Sequence, residues 1–258
     1  MIQPLRIVRR ARAAFYRLRN RGRQELQASD DYRLLKPGEA STADGWKVQS
    51  AVEWQHQAFQ QHLQDAREGK PRIDFVAAAR AIEATGLADP LVIEVGCGSG
   101  YYSEALSLAL GRPVRYMGID FSMSMVALAH ATYEFVPFMA GDACRLPLRD
   151  ASCDILLSGT SLMHIANYRG AIAESVRVSR EWCIFHTVPL IAKRPTTLLH
   201  KLAYGQRVVE VIFNQGELEA MLGEHKLAIR AVFDSIPYDV DAVIGEPSWT
   251  LTYLCQKT

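Results

Sequence analysis

Apolar positions along the chain keep two different rhythms. From residue 50 to 86 they recur every third or fourth place, the spacing of one helical face. Ser50, with Glu53 three positions on, forms a capping-box pattern, and Val52, His56, Phe59 and Leu63 share a stripe behind it. A second helix is expected from Asp74 as N-cap through Phe75, Val76, Ala79 and Ile82 to a stop near Gly86. From residue 91, short apolar runs alternate with helical stretches, which predicts a mostly parallel sheet. Strands are predicted over 91–95, 114–120, 135–142, 153–159 and 182–188, with helices over 103–110, 123–132 and 171–178. A helix over 214–222, with Asn214 as N-cap and Glu217 at the capping-box place, precedes strands over 227–233 and 248–255.

Residues 29–48 break both rhythms; polar and carrying Pro37, Gly38 and Gly45, they read as a linker or irregular loop. The segment before them is amphipathic in a third way. Ile7, Val8, Ala11, Ala14, Phe15 and Leu18 fall on one side of a helical wheel, and Arg6, Arg9, Arg10, Arg12, Arg17 and Arg19 fill the rest. Residues 1–23 hold eight Arg and no acid, whereas the other 235 residues hold 21 basic and 28 acidic side chains. The formal net charge of +1 is thus the sum of a +8 arm and a −7 body. Such an arm suits an anionic membrane surface, or a docking place on the body or on a second subunit.

Composition excludes other classes. With 258 residues, 49% of them hydrophobic, the chain can bury a sizeable core and is no disordered or collagen-like protein. No run approaches the roughly 18 apolar residues that span a bilayer. Cys97, Cys144, Cys153, Cys183 and Cys255 are odd in number and form no C-x-x-C pair, so no disulfide framework and no metal site is expected. A reducing cytoplasm is the expected compartment, with peripheral attachment to the inner membrane surface as the reading should the arm meet lipid.

The candidate chemistry centres on I-E-V-G-C-G-S-G, residues 93–100, between a strand and a helix. Glycines there let the backbone turn sharply and approach a ligand, and the helix N-terminus favours a negative group. The phosphate loop G-x-x-x-x-G-K-[ST] is absent, and the dinucleotide fingerprint would need glycine where Tyr101 stands, which disfavours an NAD-dependent oxidoreductase. Asp120 ends the second predicted strand, where an acid can accept hydrogen bonds from both ribose hydroxyls. Asp142 ends the third, within reach of an adenine edge. Together these positions suggest an adenosine ligand without a pyrophosphate.

E-V-G-C-G-S-G, then G-I-D, then G-D-A-C-R-L-P-L-R-D-A-S-C-D-I-L-L-S-G together resemble the class I S-adenosylmethionine-dependent methyltransferases of the type-11 kind, over about residues 91–185. The resemblance implies an α/β, Rossmann-like, doubly wound seven-stranded sheet with the last strand antiparallel, preceded by N-terminal lid helices. Together with the charge pattern, it divides the chain into a basic amphipathic arm (1–28), which the resemblance does not cover, a helical lid (29–88) and a cofactor-binding methyltransferase domain (89–258). Glu94, Gly96, Gly98 and Gly100, with Cys97 among them, would form the loop around the methionine end of S-adenosylmethionine. Asp120 would hold the ribose, Phe121 would lie against the adenine, Asp142 and Ala143 would meet its edge, and Ser158 and Gly159 would line the site. Cys97 has no neighbour in sequence to activate it as a nucleophile.

The expected function is methyl transfer to a small-molecule, lipid-linked or glycan acceptor, with oxygen as the expected acceptor atom. The alternative is a catalytically inactive cofactor-binding or scaffold protein. His164 and His186 are the candidate bases, needed where the acceptor must lose a proton. The connection 189–213, with Arg194, His200, Lys201, Tyr204 and Arg207, is the expected acceptor-binding excursion, suited to a phosphate or carboxylate. Nucleic acid is not an expected partner, because no acceptor motif of that kind follows the fourth strand.

Overall fold

The computed structural model describes residues 32–36 and 44–258; the basic arm and part of the expected linker lie outside them. A short strand β1 (Tyr32–Leu34) and a 3-10 turn (Asp44–Lys47) lead into helices α1 (Gln49–Arg67) and α2 (Ile73–Glu83). Then come β2 (Leu91–Val95), α3 (Tyr102–Leu110), β3 (Arg115–Asp120), α4 (Met123–Thr132) and β4 (Phe138–Ala140). β5 (Cys153–Gly159), a 3-10 turn (Leu162–His164), α5 (Tyr168–Val178) and β6 (Ser179–Ile191) follow. The chain ends with β7 (Thr197–Ala203), β8 (Gln206–Asn214), α6 (Gln215–Glu224), β9 (Leu227–Asp234), α7 (Asp241–Ile244) and β10 (Trp249–Lys257).

Seven strands form the central sheet in the order β4-β3-β2-β5-β6-β10-β9, with β10 antiparallel to both neighbours. The order reverses beside β2, so the carboxyl ends of β2 and β5 flank the crevice where such sheets bind ligands. Apolar residues serve both faces of the strands in alternation. Val92, Leu157 and Ile184 pack with Phe75, Ile82, Tyr102 and Leu106 in one core cluster. Ile93 and Leu156, one position along, belong to a second, and Cys183 and Phe185 to a third with Leu218 and Leu222 of α6. This period of two with both faces covered is what a parallel sheet between helical layers requires.

The helix starts differ from expectation. Ser50 lies inside α1, whose start has no side-chain cap, and Glu53 pairs instead with Gln49 (2.9 Å). Asp74 is buried in the first turn of α2, one residue past its start, and accepts from the Arg72 Nε (2.7 Å). Asn214 does cap α6, accepting from the N–H groups of Gly216 and Glu217 (3.0 and 3.2 Å). β4 is shorter than predicted, because the chain turns at Tyr133–Val136 before it and at Asp142–Arg145 after it.

The excursion 189–213 is not a loop. β6 extends to Ile191, and β7 and β8 form a hairpin joined by Tyr204 and Gly205, both with positive φ (50° and 73°), as a two-residue hairpin turn demands. β8 continues the sheet beside the end of β6, pairing Leu190 with Phe213, and β1 adds to β7, pairing Tyr32 with Lys201.

Candidate active site

The glycine loop is held by backbone and by one carboxylate. Gly96 N and Cys97 N both donate to the carbonyl of Ile119 (2.7 and 3.1 Å), tying the loop to the end of β3. Gly96 has φ +74°, and a Cβ there would collide with Ser161. Asp120 is almost fully buried; one oxygen accepts from Gly98 N and the other from Ser122 N, each at 2.8 Å. Burial raises its carboxyl, while the N–H groups of Ser122, Gly98 and Phe121 pull it back. An ionised carboxylate offers about four lone-pair sites, more than these N–H groups take, so it can still accept from a ligand hydroxyl.

One cavity of about 1070 Å³ begins at this loop. Gly96, Gly98, Asp120, Phe121, Asp142, Ala143 and Gly159 line it, from the ends of β2, β3 and β5 and the turn after β4. The remaining sequence candidates stand behind its wall. Gly100 lies under Phe138, Ser158 bonds Ser161 (2.9 Å), and Cys97 is buried in the core with its thiol pushed up by burial, which bars the thiolate form. The Glu94 carboxyl lies against Gly159, which must be glycine because a Cβ there would overlap it.

The cavity continues past Gly159 into a second compartment under the β7–β8 hairpin. His164 lines it, its Nδ1 2.8 Å from the carbonyl of Val209. A carbonyl only accepts, so Nδ1 carries the hydrogen and Nε2 keeps its lone pair. Burial lowers the ring's pKa, which favours this neutral form. Trp46 packs on His164 and on Tyr204 (ring centroids 5.0 and 5.8 Å). Lys201 Nζ meets the buried Glu210 at 2.8 Å, and Tyr238 donates to the same carboxylate (2.5 Å). Of the basic residues expected to bind the acceptor, Lys201 alone reaches the cavity, and Arg194 and Arg207 are exposed.

Two β-branched residues with left-handed backbone border the cavity, Thr160 (φ 59°) and Thr187 (φ 54°). Each such conformation costs about 1–3 kcal/mol and persists only where surroundings enforce it. At Thr187 the hydroxyl bonds Ser235 (2.7 Å) and His186 (3.0 Å). His186 itself does not line the cavity, which corrects its candidacy as a base. Its ring is sealed between Tyr102 and Thr252 (2.7 Å each), and burial pushes its pKa down to about 4. Trp46, Gln55, Phe59, Arg72, Thr187 and Tyr238 also line the cavity and were not among the sequence candidates.

Glu94 is fully buried, with Oε2 accepting from Tyr116 and Oε1 meeting no partner. Burial drives its carboxyl well above the usual carboxylate range, against the Tyr116 hydrogen bond, and the charge of Asp120 adds to the rise. A carboxyl with a raised folded pKa stabilises the fold fully at low pH and loses that contribution as pH climbs from about 4.3. Glu94→Gln should therefore melt within a degree or two of wild type at pH 4 and several degrees higher at pH 8, since ~1 kcal/mol moves a domain of this size by about 2–4 °C. Equal melting shifts at both pH values would contradict a protonated Glu94.

Residues 93–185 match the methyltransferase domain family. Over 115 residues, 43% of this chain and 47% of the relative, the sequence is 34% identical to a demethylmenaquinone methyltransferase of Staphylococcus aureus. The chain spans about half the length of the curated relatives it matches. Among solved structures, the Burkholderia thailandensis 1,6-didemethyltoxoflavin-N1-methyltransferase superposes with a TM-score of 0.53 at 17% identity, covering 88% of this chain and 95% of its own. The cyclase SpnF gives 0.53 at 20% identity, covering 70% and 82%. The shared fold is thus compatible with more than one reaction. Over residues 93–185 the chain is similar to the methyltransferase domain family, and it shares its fold with the solved methyltransferase above.

Proposed function

We propose that the protein binds S-adenosylmethionine along Gly96, Gly98, Asp120, Phe121 and Asp142 and methylates a hydroxyl oxygen of a small-molecule acceptor. The observation that carries this reading is the continuous cavity from the glycine loop to His164. Its volume exceeds the roughly 300–1,000 Å³ usual for one small ligand, leaving room for an acceptor beside a cofactor. The residues fit the cofactor: Asp120 keeps lone pairs for a ribose, and Gln55 Oε1, beside Gly98, is buried with no partner.

When bound, S-adenosylmethionine supplies an electrophilic methyl group and a leaving thioether that needs no proton. The chain's part is to orient, to exclude water and to take the acceptor's proton. Helix α1 and the 3-10 turn at Asp44–Lys47 supply Phe59, Gln55 and Trp46 to the cavity wall, which screens it from solvent. His164 accepts the hydroxyl proton at Nε2. Positioning and desolvation of this sort account for up to roughly 7–11 kcal/mol of a barrier. The similarity to a demethylmenaquinone methyltransferase supports methyl transfer to a small-molecule acceptor.

A thermal-shift comparison tests the cofactor. At a hundred times the dissociation constant, S-adenosylmethionine or S-adenosylhomocysteine should add about 2.7 kcal/mol, or roughly 5–10 °C, with no change for NAD. Absence of a shift with both sulfur compounds would refute the assignment.

A further inference from the structure

We infer that the second compartment takes a neutral, planar aromatic ring bearing the hydroxyl, rather than a phosphorylated or carboxylated acceptor; the inference rests on the methyltransferase reading. Among the described residues, three basic side chains line the cavity, Lys47, Arg72 and Lys201, and each is already matched. Lys47 meets Asp44 at 2.7 Å and lies over the Phe121 ring, Arg72 grips Asp74, and Lys201 grips Glu210 at 2.8 Å. The side chains of Asp74 and Glu210 are almost wholly buried and cannot swing away. An anionic ligand beside Arg72 or Lys201 would face a fixed carboxylate at the same place. It would give up its hydration for a pair whose charge is already cancelled.

The walls offer flat apolar surface instead. Trp46 stands tilted between His164 and Tyr204 in the cavity wall (ring centroids 5.0 and 5.8 Å), whereas the Phe59 ring is already covered by Tyr101 (3.8 Å) and the Arg72 guanidinium (4.9 Å). Rings set at such angles receive another ring by stacking or edge contact, worth about 0.5–1.5 kcal/mol for each pair beyond area burial. By sequence the basic residues of 189–213 suit a phosphate; the Lys201–Glu210 pair removes that reason.

Calorimetry on the full chain saturated with S-adenosylhomocysteine tests the inference, with 2-naphthol, 2-naphthyl phosphate and decahydro-2-naphthol as probes. The naphthol should bind about tenfold or more tighter than either other probe. Glu210→Gln, which leaves Lys201 unmatched, should shift preference toward the phosphate. Should that variant fail to fold, as its melting curve would tell, the wild-type ratios decide alone. Comparable or tighter binding of the naphthyl phosphate, or of the saturated alcohol, overturns the inference while leaving cofactor binding intact. Failure of S-adenosylhomocysteine itself to bind overturns the underlying reading, and this one with it.

Discussion

Asp120→Ala should weaken S-adenosylhomocysteine binding by at least about 100-fold, because the charge-assisted hydrogen bonds proposed from the ribose hydroxyls, each worth roughly 1.5–3 kcal/mol, would disappear together. The same carboxylate fixes the glycine loop through Gly98 N and the start of α4 through Ser122 N. Its loss therefore removes both a ligand contact and the support of the loop that makes the others. Asp120→Asn should fall between, since both oxygens accept backbone N–H groups and an amide must turn its NH₂ against one of them. Calorimetry with S-adenosylhomocysteine measures the effect, and a melting curve in the absence of ligand separates it from unfolding. Binding within about threefold of wild type in the alanine variant would place the ribose elsewhere.

The half of the cavity proposed for the cofactor was legible because its residues stand at strand ends, and strand ends can be read from apolar runs. Gly96, Gly98 and Asp120 follow β2 and β3 directly, so their convergence needed only a parallel sheet. What the pattern could not separate was lining from support. Glu94 and Ser158 occupy strand positions whose side chains point behind the wall, one residue out of phase with the cavity, and period two alone does not say which phase faces a ligand. The expected caps failed at Ser50 and Asp74 for a different reason. In both places a neighbouring side chain, Gln49 or Arg72, took the acid that the local pattern assigned to the backbone.

The second compartment was largely hidden. Trp46 lies in a stretch whose Pro and Gly content read as linker, yet its ring packs on His164, 118 positions on. The β7–β8 hairpin turns on Tyr204–Gly205, outside the usual Asn-Gly or Asp-Gly signals, and its alternation over 206–213 is blurred by Val208 and Val209 side by side, both buried. A pocket assembled from segments so distant leaves no local sequence signature.

His164 carries the second large prediction. His164→Ala should lower the rate of methyl transfer to 2-naphthol by about 10²–10⁴-fold, the usual contribution of a positioned base, with S-adenosylhomocysteine affinity unchanged. A structural role is separable, because His164→Asn can still donate to the Val209 carbonyl but has no basic nitrogen. If the ring only anchors the hairpin, Asn should preserve the rate; if Nε2 takes the proton, Asn should be as slow as Ala. The pH dependence gives a second reading. Burial lowers the pKa of His164 below its ordinary 6.5, so the neutral base is regained at a lower pH on leaving acid. The wild-type rate should therefore rise along an acid limb centred below pH 6.5, and that limb should vanish in both variants. A limb that persists in the alanine variant would assign the titration to another group and remove His164 from proton transfer.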